Sequence, residues 1–480
     1  MLYRFFKALI LAYVFLTMLP ATGLAQTTDL PDIGGIANAP SPEVEHRMGQ
    51  AVMRNLRRAG ALVDDLQLTD YINNLGYRLL ATHEQTGMEF HFFLVNDKVI
   101  NAFALPGGYI GINYGLILAS RSEDELAAVV AHEIAHVTQK HYSRSYAHQS
   151  SQIPVLAAII AAAVLGNAQV GQAAIASSVA LQAQQQLSFS RANEREADRI
   201  GIAMLAKAGF DPHGMAAFFG RLEEQSRLYG PQAPEFLRTH PVTVNRITDA
   251  NNRASQYKYQ PKASSTQYLL MRSRLQVLSA DQPADIMHTL EQQRSNTPTP
   301  GLGLQYGCLL AELENKDYSA ANKTAAKLKH VENDHLPIRL AILQTELHQQ
   351  PKLAIKRYQD LLQFYPNDAA VIHDYAEALL STNKPTKAQN LLNQVLKKNP
   401  EQPLFFRLLA KTESLLSNQA ASHQAMAEFY YQTGQVTQAI QQLDLALKAG
   451  NLDFYRLSQI EARQAEFKDE LQQLKNSQDN

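Results

Sequence analysis

A single cysteine, Cys308, stands among 480 residues, so no intramolecular disulfide can form and the fold must be held by packing, with metal at most an addition. Cys308 itself lies beside Tyr306, Leu309 and Leu310 in an apolar helical stretch, and reads as a small buried hydrophobe rather than a reactive thiol. Charge of one sign is missing too. With 44 basic and 45 acidic residues the formal net charge is −1, and without a basic field nucleic acid drops out as a partner. Long apolar runs are also absent. Ala8–Leu19 is short for a membrane span, and so is Pro154–Leu165, which Gly166 and Asn167 interrupt.

What precedes and follows the first of those runs gives it a meaning. Arg4 and Lys7 lie ahead of it, and Gly23, Leu24 and Ala25 stand before Gln26, so residues 1–25 read as a secretory signal cleaved near Ala25-Gln26. No cysteine follows that point to take a lipid, and the mature chain is expected to be exported and soluble. Residues 26–42, rich in Gly, Pro, Ala and Asn, read as a loose leader. The remaining length allows two or three domains. The expected division is a first domain over 43–256, a linker over 257–265 and a second domain over 266–480.

The densest chemistry lies in His132-Glu133-Ile134-Ala135-His136. On a helix, residues four apart share a face, so the two imidazoles can grip one Zn²⁺ while Glu133, beside them, takes a proton from water. Five residues can arise by chance, and the surroundings decide. Ser122-Glu123-Asp124-Glu125 fits a capping box with Ser122 as N-cap, and Leu126, Ala127, Val129 and Val130 follow. The motif therefore falls well inside a helix that is expected to run on towards Tyr142. Pro42–Arg57 and Leu68–Ala81 also read as helices, the second packed on the same core.

Phe90–Val95, Ala102–Leu105 and Gly107–Asn113 read as a small antiparallel sheet. Its Gly-rich strand, Gly108, Tyr109 and Ile110 above all, either offers an edge to an extended peptide substrate or simply packs tightly on a helix. Ile153–Leu181, poor in charge, is expected to form a helical hairpin that covers the active site or lies on a membrane surface as a peripheral contact.

Gln184–Ala208 reads as a further helix stopped by Gly209 and Pro212. Glu194 and Asp198 share one face of it, whereas Glu196 points elsewhere. An isolated pair of this kind is usually a solvated face. Behind a His-Glu-x-x-His helix, Glu194 becomes the third metal ligand and Asp198, a turn on, a supporting or proton-donating group. Thr239-His240-Pro241 reads alone as a turn, and Arg246 alone as a surface cation.

Together, His132–His136, Glu194-x-x-x-Asp198, Thr239-His240-Pro241 with Arg246, Asn101–Ala104 and the Gly107–Asn113 strand resemble the M48 family of zinc metallopeptidases over roughly residues 45–255. The resemblance implies an α+β fold: a mostly helical, zincin-like metallopeptidase domain with one small sheet. It implies one Zn²⁺ per subunit on His132, His136 and Glu194, with Glu133 activating water and Asp198 in a supporting or proton-donating catalytic role. His240 has two possible parts, as a donor to the oxyanion or as a fourth zinc ligand that holds the enzyme shut. The latch is the expectation, because an exported peptidase among unfolded proteins needs restraint. Arg246 is a candidate for substrate or the oxyanion. Lacking spans, the chain departs from the integral-membrane members, and intramembrane cleavage is not expected.

Beyond the first domain a period appears. Ala320, Ala354 and Ala388 are each 34 apart, and Pro366 and Pro400 repeat that interval. This is the tetratricopeptide period, so 266–480 reads as an all-α solenoid with a concave surface for peptides or partner proteins. Thr266–Arg294 and Asn418–Asn451 look degenerate, and Ala439, 51 after Ala388, suggests an inserted helix or a slip of register. Tyr257–Ser265 and Asn296–Gly303 read as flexible joints.

For an exported M48 member with such an array, the resemblance implies quality control in the periplasm of Gram-negative bacteria. The implied clients are unfolded or misassembled outer-membrane β-barrel proteins, and the array would meet the barrel assembly machinery. With Cys308 alone, any disulfide in relatives' arrays cannot form here. The competing expectation is a tetratricopeptide scaffold or chaperone whose metal site is latent or vestigial.

Overall fold

The computed structural model describes residues 41–83, 88–141, 190–229, 234–450 and 452–476. The expected signal, the leader through residue 40 and the Ile153–Leu181 hairpin lie outside these residues. The first domain contains α1 (Pro42–Arg58), α2 (Leu66–Leu80), β1 (His91–Val95), β2 (Ala102–Leu105), β3 (Tyr109–Asn113), α3 (Tyr114–Ala119) and α4 (Glu123–Thr138). It continues with α5 (Arg191–Ala208), α6 (Gly214–Tyr229), α7 (Phe236–Thr239) and α8 (Val244–Ala254).

Local chemistry sets the helix ends. Ser41, Asp65, Ser122 and Ser190 cap α1, α2, α4 and α5, each side chain accepting from the backbone N–H three residues on. The capping box of α4 is a variant: Glu125 reaches back to the N–H of Arg121 at 2.7 Å, and also pairs with Arg221 of α6. The helix ends at Thr138 rather than near Tyr142. Lys140 adopts φ 53°, a left-handed turn that breaks the helical path and folds His141 back against the last turn of α4.

The sheet has the order β1-β3-β2 and is mixed, not antiparallel throughout: β3 runs antiparallel to β2 but parallel to β1. The Gly-rich strand is thus central, with both of its edges already hydrogen-bonded, so it has no edge to offer a peptide. Every strand is covered on both faces. Phe92, Leu94, Ala102, Ala104, Ile110 and Ile112 point into the main core, while Phe93, Val95, Phe103, Leu105 and Tyr109 pack with Val52 and Leu56 of α1. β2, not β3, is the outer strand that packs against α4.

α5 crosses α4 closely, and Gly201 makes the approach possible. A Cβ at Gly201 would sit 3.3 Å from both the Ala131 carbonyl carbon and the His132 nitrogen, and 2.9 Å from Cε of Met215. Asp198 lies one turn before this contact, so the crossing carries the carboxylates of α5 to the histidines of α4.

Six helix pairs follow: α9/α10 (Thr266–Leu278, Pro283–Ser295), α11/α12 (Leu302–Glu314, Tyr318–Leu328), α13/α14 (Leu336–Gln349, Pro351–Phe364), α15/α16 (Ala369–Ser381, Pro385–Lys398), α17/α18 (Pro403–Leu415, Gln419–Gln432) and α19/α20 (Val436–Lys448, Phe454–Asn476). Among the described residues the alternation is unbroken, with neither an inserted helix nor a register slip. Ala439 falls one and a half periods after Ala388 because it lies on the first helix of its pair, whereas Ala388 lies on a second helix.

The linker expected to be flexible is bonded in place. The N–H of Glu123 donates to Ser264 Oγ at 3.0 Å, Ser265 N–H donates to the Glu123 carboxylate at 3.2 Å, and Tyr268 donates to the Ser120 carbonyl at 2.9 Å. Arg274 of α9 grips Asp65, the cap of α2, with Nε and Nη2. One apolar core runs from Ile72 and Phe218 through Tyr268 and Leu309 to Ile338, across the expected domain boundary. The array also returns to the first domain, where Gly434 sits against the backbone of Arg54 on α1.

The α4–α5 crossing can be tested at its narrowest point. Gly201→Val is expected to lower stability by about 1–3 kcal/mol through overpacking and to reduce bound zinc. An unchanged thermal unfolding midpoint with full zinc content would rule out the close approach.

Candidate metal centre

Four segments converge on one buried point. α4 supplies His132, Glu133 and His136, α5 supplies Glu194 and Asp198, and the segment after α7 supplies His240, with Arg246 arriving from α8. His132, Glu133 and His136 are fully buried, and the other four are nearly so. His240 N–H donates to the Phe236 carbonyl at 2.8 Å, and its ring stacks on Phe236 at 4.8 Å. Pro241 then removes the next backbone donor, which ends the turn and aims the His240 ring inward.

The potential ligand atoms of His132, His136, Glu194 and His240 all lie within 4.8 Å of one another. His132 Nε2 is 3.0 Å from His136 Nε2 and 3.5 Å from Glu194 Oε2, and His136 Nε2 is 3.3 Å from Glu194 Oε1. His240 Nδ1 lies 3.3 Å from His132 Nε2 and 3.0 Å from Glu194 Oε1. Atoms about 2.0–2.1 Å from a tetrahedral zinc stand about 3.3 Å apart, so these spacings match the edges of a zinc tetrahedron. Nitrogen and carboxylate donors are the types zinc takes, and the group is short of protons to join so many lone pairs directly. Both oxygens of Glu133 are buried without a hydrogen bond, and the nearer nitrogen of His240, Nε2, is 3.5 Å from Oε1. The residues fit the ion.

A supporting layer lies behind the ligands. Asp198 Oδ1 is 3.0 Å from His132 Nδ1, the nitrogen that faces away from the cluster. Arg246 donates from Nε and Nη2 to the two oxygens of Asp198, both at 2.8 Å, from Nη1 to the Pro241 carbonyl at 2.8 Å, and lies 2.7 Å from Glu194 Oε2. Its position corrects two expectations: Arg246 is a buried brace rather than a surface cation, and its donors are directed at carboxylates rather than at a site for substrate or oxyanion. Asp198 is likewise turned towards His132 and Arg246.

Protonation within the cluster follows from burial set against neighbours. Burial disfavours the charged form of His132, but Asp198 and Glu194 outweigh it and push the imidazole up to about 9. For His136, burial wins over the pull of Glu194 and lowers it well below the ordinary histidine value. Burial alone would raise Glu194, yet the surrounding imidazoles hold it well below the usual carboxylate range. Asp198 is also held down against burial, by His132 and Arg246. It stays ionised and has no proton to donate, which favours the supporting role over the proton-donating one. Glu133 differs: burial pushes it up more than His240 and His132 pull it down.

Two members of the neighbourhood escape a reading of the sequence. His141 is fully buried beside His136, and Glu196, expected to point away, lies 3.1 Å from His141. The only signal was a histidine five residues past the motif, which an uninterrupted helix would have placed on another face.

Residues 66–254 match peptidase family M48, whose members use zinc, and residues 347–412 match a tetratricopeptide repeat. The beta-barrel assembly-enhancing protease of Escherichia coli strain K12 is 34% identical over 452 residues, covering 92% of this chain and 92% of that protein. Its counterpart in Yersinia pestis is 34% identical over 445 residues, covering 91% and 90%. The mitochondrial metalloendopeptidase OMA1 of Schizosaccharomyces pombe is 30% identical over 179 residues, covering 37% of this chain and 51% of that protein. The bacterial matches, at more than nine-tenths of the chain, take in the repeats as well as the peptidase portion. On its centre, its helices and these relatives, the chain belongs to peptidase family M48, as a metallopeptidase followed by tetratricopeptide repeats.

Proposed function

We propose that the protein is an exported, periplasmic zinc endopeptidase that degrades misfolded or stalled outer-membrane β-barrel proteins and assists their assembly. The observation that carries the chemistry is the convergence of His132, His136 and Glu194 beside the unbonded carboxylate of Glu133. The choice of client rests on the names of the bacterial relatives, and the compartment on the signal-like first 25 residues. Among the described residues no helix is long and apolar enough to cross a membrane.

His132, His136 and Glu194 would hold the ion. When bound, zinc supplies Lewis-acid charge, which acidifies water and stabilises negative charge on a peptide carbonyl oxygen. Glu133 takes the proton from the attacking water and returns it to the departing amine. Its raised pKa suits a group that must carry that proton between the two steps. Asp198 fixes His132 with Nε2 towards the ion, and Arg246 holds Asp198 and Glu194 in place.

His240 Nδ1 stands where a fourth ligand would, and supports the latch over the oxyanion donor. A catalytic zinc keeps one position open, so this arrangement is the restrained form. The array supplies a place for clients or for the assembly machinery. A cleft of about 930 Å³ among α13, α14 and α15 is lined by His348, Tyr358, His373, Asp374 and Glu377, groups suited to a peptide backbone and mixed side chains. A scaffold with a latent metal site would use the same cleft, so a variant that can bind but not cut separates the two readings.

Glu133→Gln should retain zinc and client binding but lose cleavage of an unfolded barrel protein by about 10²–10⁴-fold. Cleavage at the parental rate would exclude Glu133 as the base. His240→Ala is expected to raise the rate of proteolysis, measured on the same client, whereas a fall would sink the latch. Zinc must also displace the proton that His132 carries below about pH 9 in the metal-free protein. Zinc affinity should therefore rise about tenfold per pH unit between pH 7 and 8.5, measured by competition with a chelator of known pH dependence. A flat profile would show that no such proton is displaced.

A further inference from the structure

We propose that His141 and Glu196 are a positioning pair that locks the orientation and tautomer of His136, completing a hydrogen-bonded chain from α5 back to the metal centre. The inference rests on the reading of His136 as a zinc ligand. His136 Nε2 faces the cluster, and its other nitrogen, Nδ1, lies 3.0 Å from His141 Nδ1. On the far side, His141 Nε2 lies 3.1 Å from Glu196 Oε2.

The chain of bonds has one consistent direction. An imidazole that offers Nε2 to a cation carries its proton on Nδ1, so His136 donates to His141 Nδ1. His141 then accepts at Nδ1 and must carry its own proton on Nε2, from which it donates to the Glu196 carboxylate. His141 is fully buried, and both of its nitrogens are satisfied in this scheme. Its place depends on the left-handed turn at Lys140, which returns the chain to α4.

The pair also matches what backs the other histidine ligand. His132 Nδ1 meets a carboxylate of α5 directly, through Asp198, whereas His136 Nδ1 meets one through an intervening imidazole. α5 therefore supplies Glu194 to the metal, Asp198 to one imidazole and Glu196 to the other. Partners of this kind set the ring angle and the basicity of a ligand, and their loss typically weakens metal binding about 10–100-fold.

The test compares the full chain with His141→Phe, Glu196→Gln and His136→Ala. The readouts are the zinc dissociation constant by chelator competition, the absorption bands of the Co²⁺-substituted protein and the unfolding midpoint of the metal-free form. His141→Phe keeps a ring but offers no nitrogen, and should weaken zinc about 10–100-fold and shift the Co²⁺ bands. Glu196→Gln, at a side chain 36% exposed, should act in the same direction to a smaller extent without lowering the metal-free midpoint. If His141→Phe fails to fold, Glu196→Gln decides. Zinc binding within twofold of the parent and unaltered Co²⁺ bands in the folded variants would overturn the pair while leaving the site reading intact. A parent that binds no zinc, or His136→Ala that binds as tightly as the parent, would instead overturn the site reading on which the pair rests.

Discussion

The two-pronged grip of Arg246 on Asp198 is the interaction on which the centre depends. Taking three carboxylates out of water costs several kcal/mol each unless opposite charge and hydrogen bonds meet them. Arg246 meets two of the three, touching Glu194 as well as both oxygens of Asp198. A divalent cation balances what remains, so Glu133, Glu194, Asp198, Arg246 and the metal sum to no net charge. Without the ion, the proton on His132 and the raised Glu133 move the same set towards neutrality.

Much of this was legible in the sequence because it depends on helical spacing alone. His132 and His136, and again Glu194 and Asp198, are four apart, and the helix enforces a shared face whatever the rest of the chain does. Caps at Ser122 and Gly209 fixed the same helices by local chemistry. The 34-residue period likewise gave the repeats. What could not be read was set at long range. Strand order depends on which strand meets α4, not on strand composition, so the Gly-rich strand looked like an edge and lies in the centre. Arg246 looked exposed because nothing near it in sequence shows that its charge meets Asp198, 48 residues before it. His141 was hidden by one backbone angle at Lys140.

The boundary between peptidase and repeats teaches a similar lesson. Composition marks residues 257–265 as a joint, yet Ser264, Ser265 and Tyr268 are bonded to the start of α4, and Arg274 reaches the cap of α2. The repeat array begins as a continuation of the peptidase core rather than as a tethered module. Glu123, which accepts from the Ser265 N–H and the Tyr71 hydroxyl and donates its own N–H to Ser264 Oγ, stands at the first turn of the helix that carries His132 and His136. Strain on the first repeats would thus be felt at the base of α4.

His240 touches the centre with both of its ring nitrogens: Nδ1 faces the ligand cluster, and Nε2 faces Glu133. Hydrolysis needs two vacancies, one beside the ion and one beside the base, and a single imidazole stands across both. In the proposed latch, withdrawal of one side chain would therefore free the metal position and the base together.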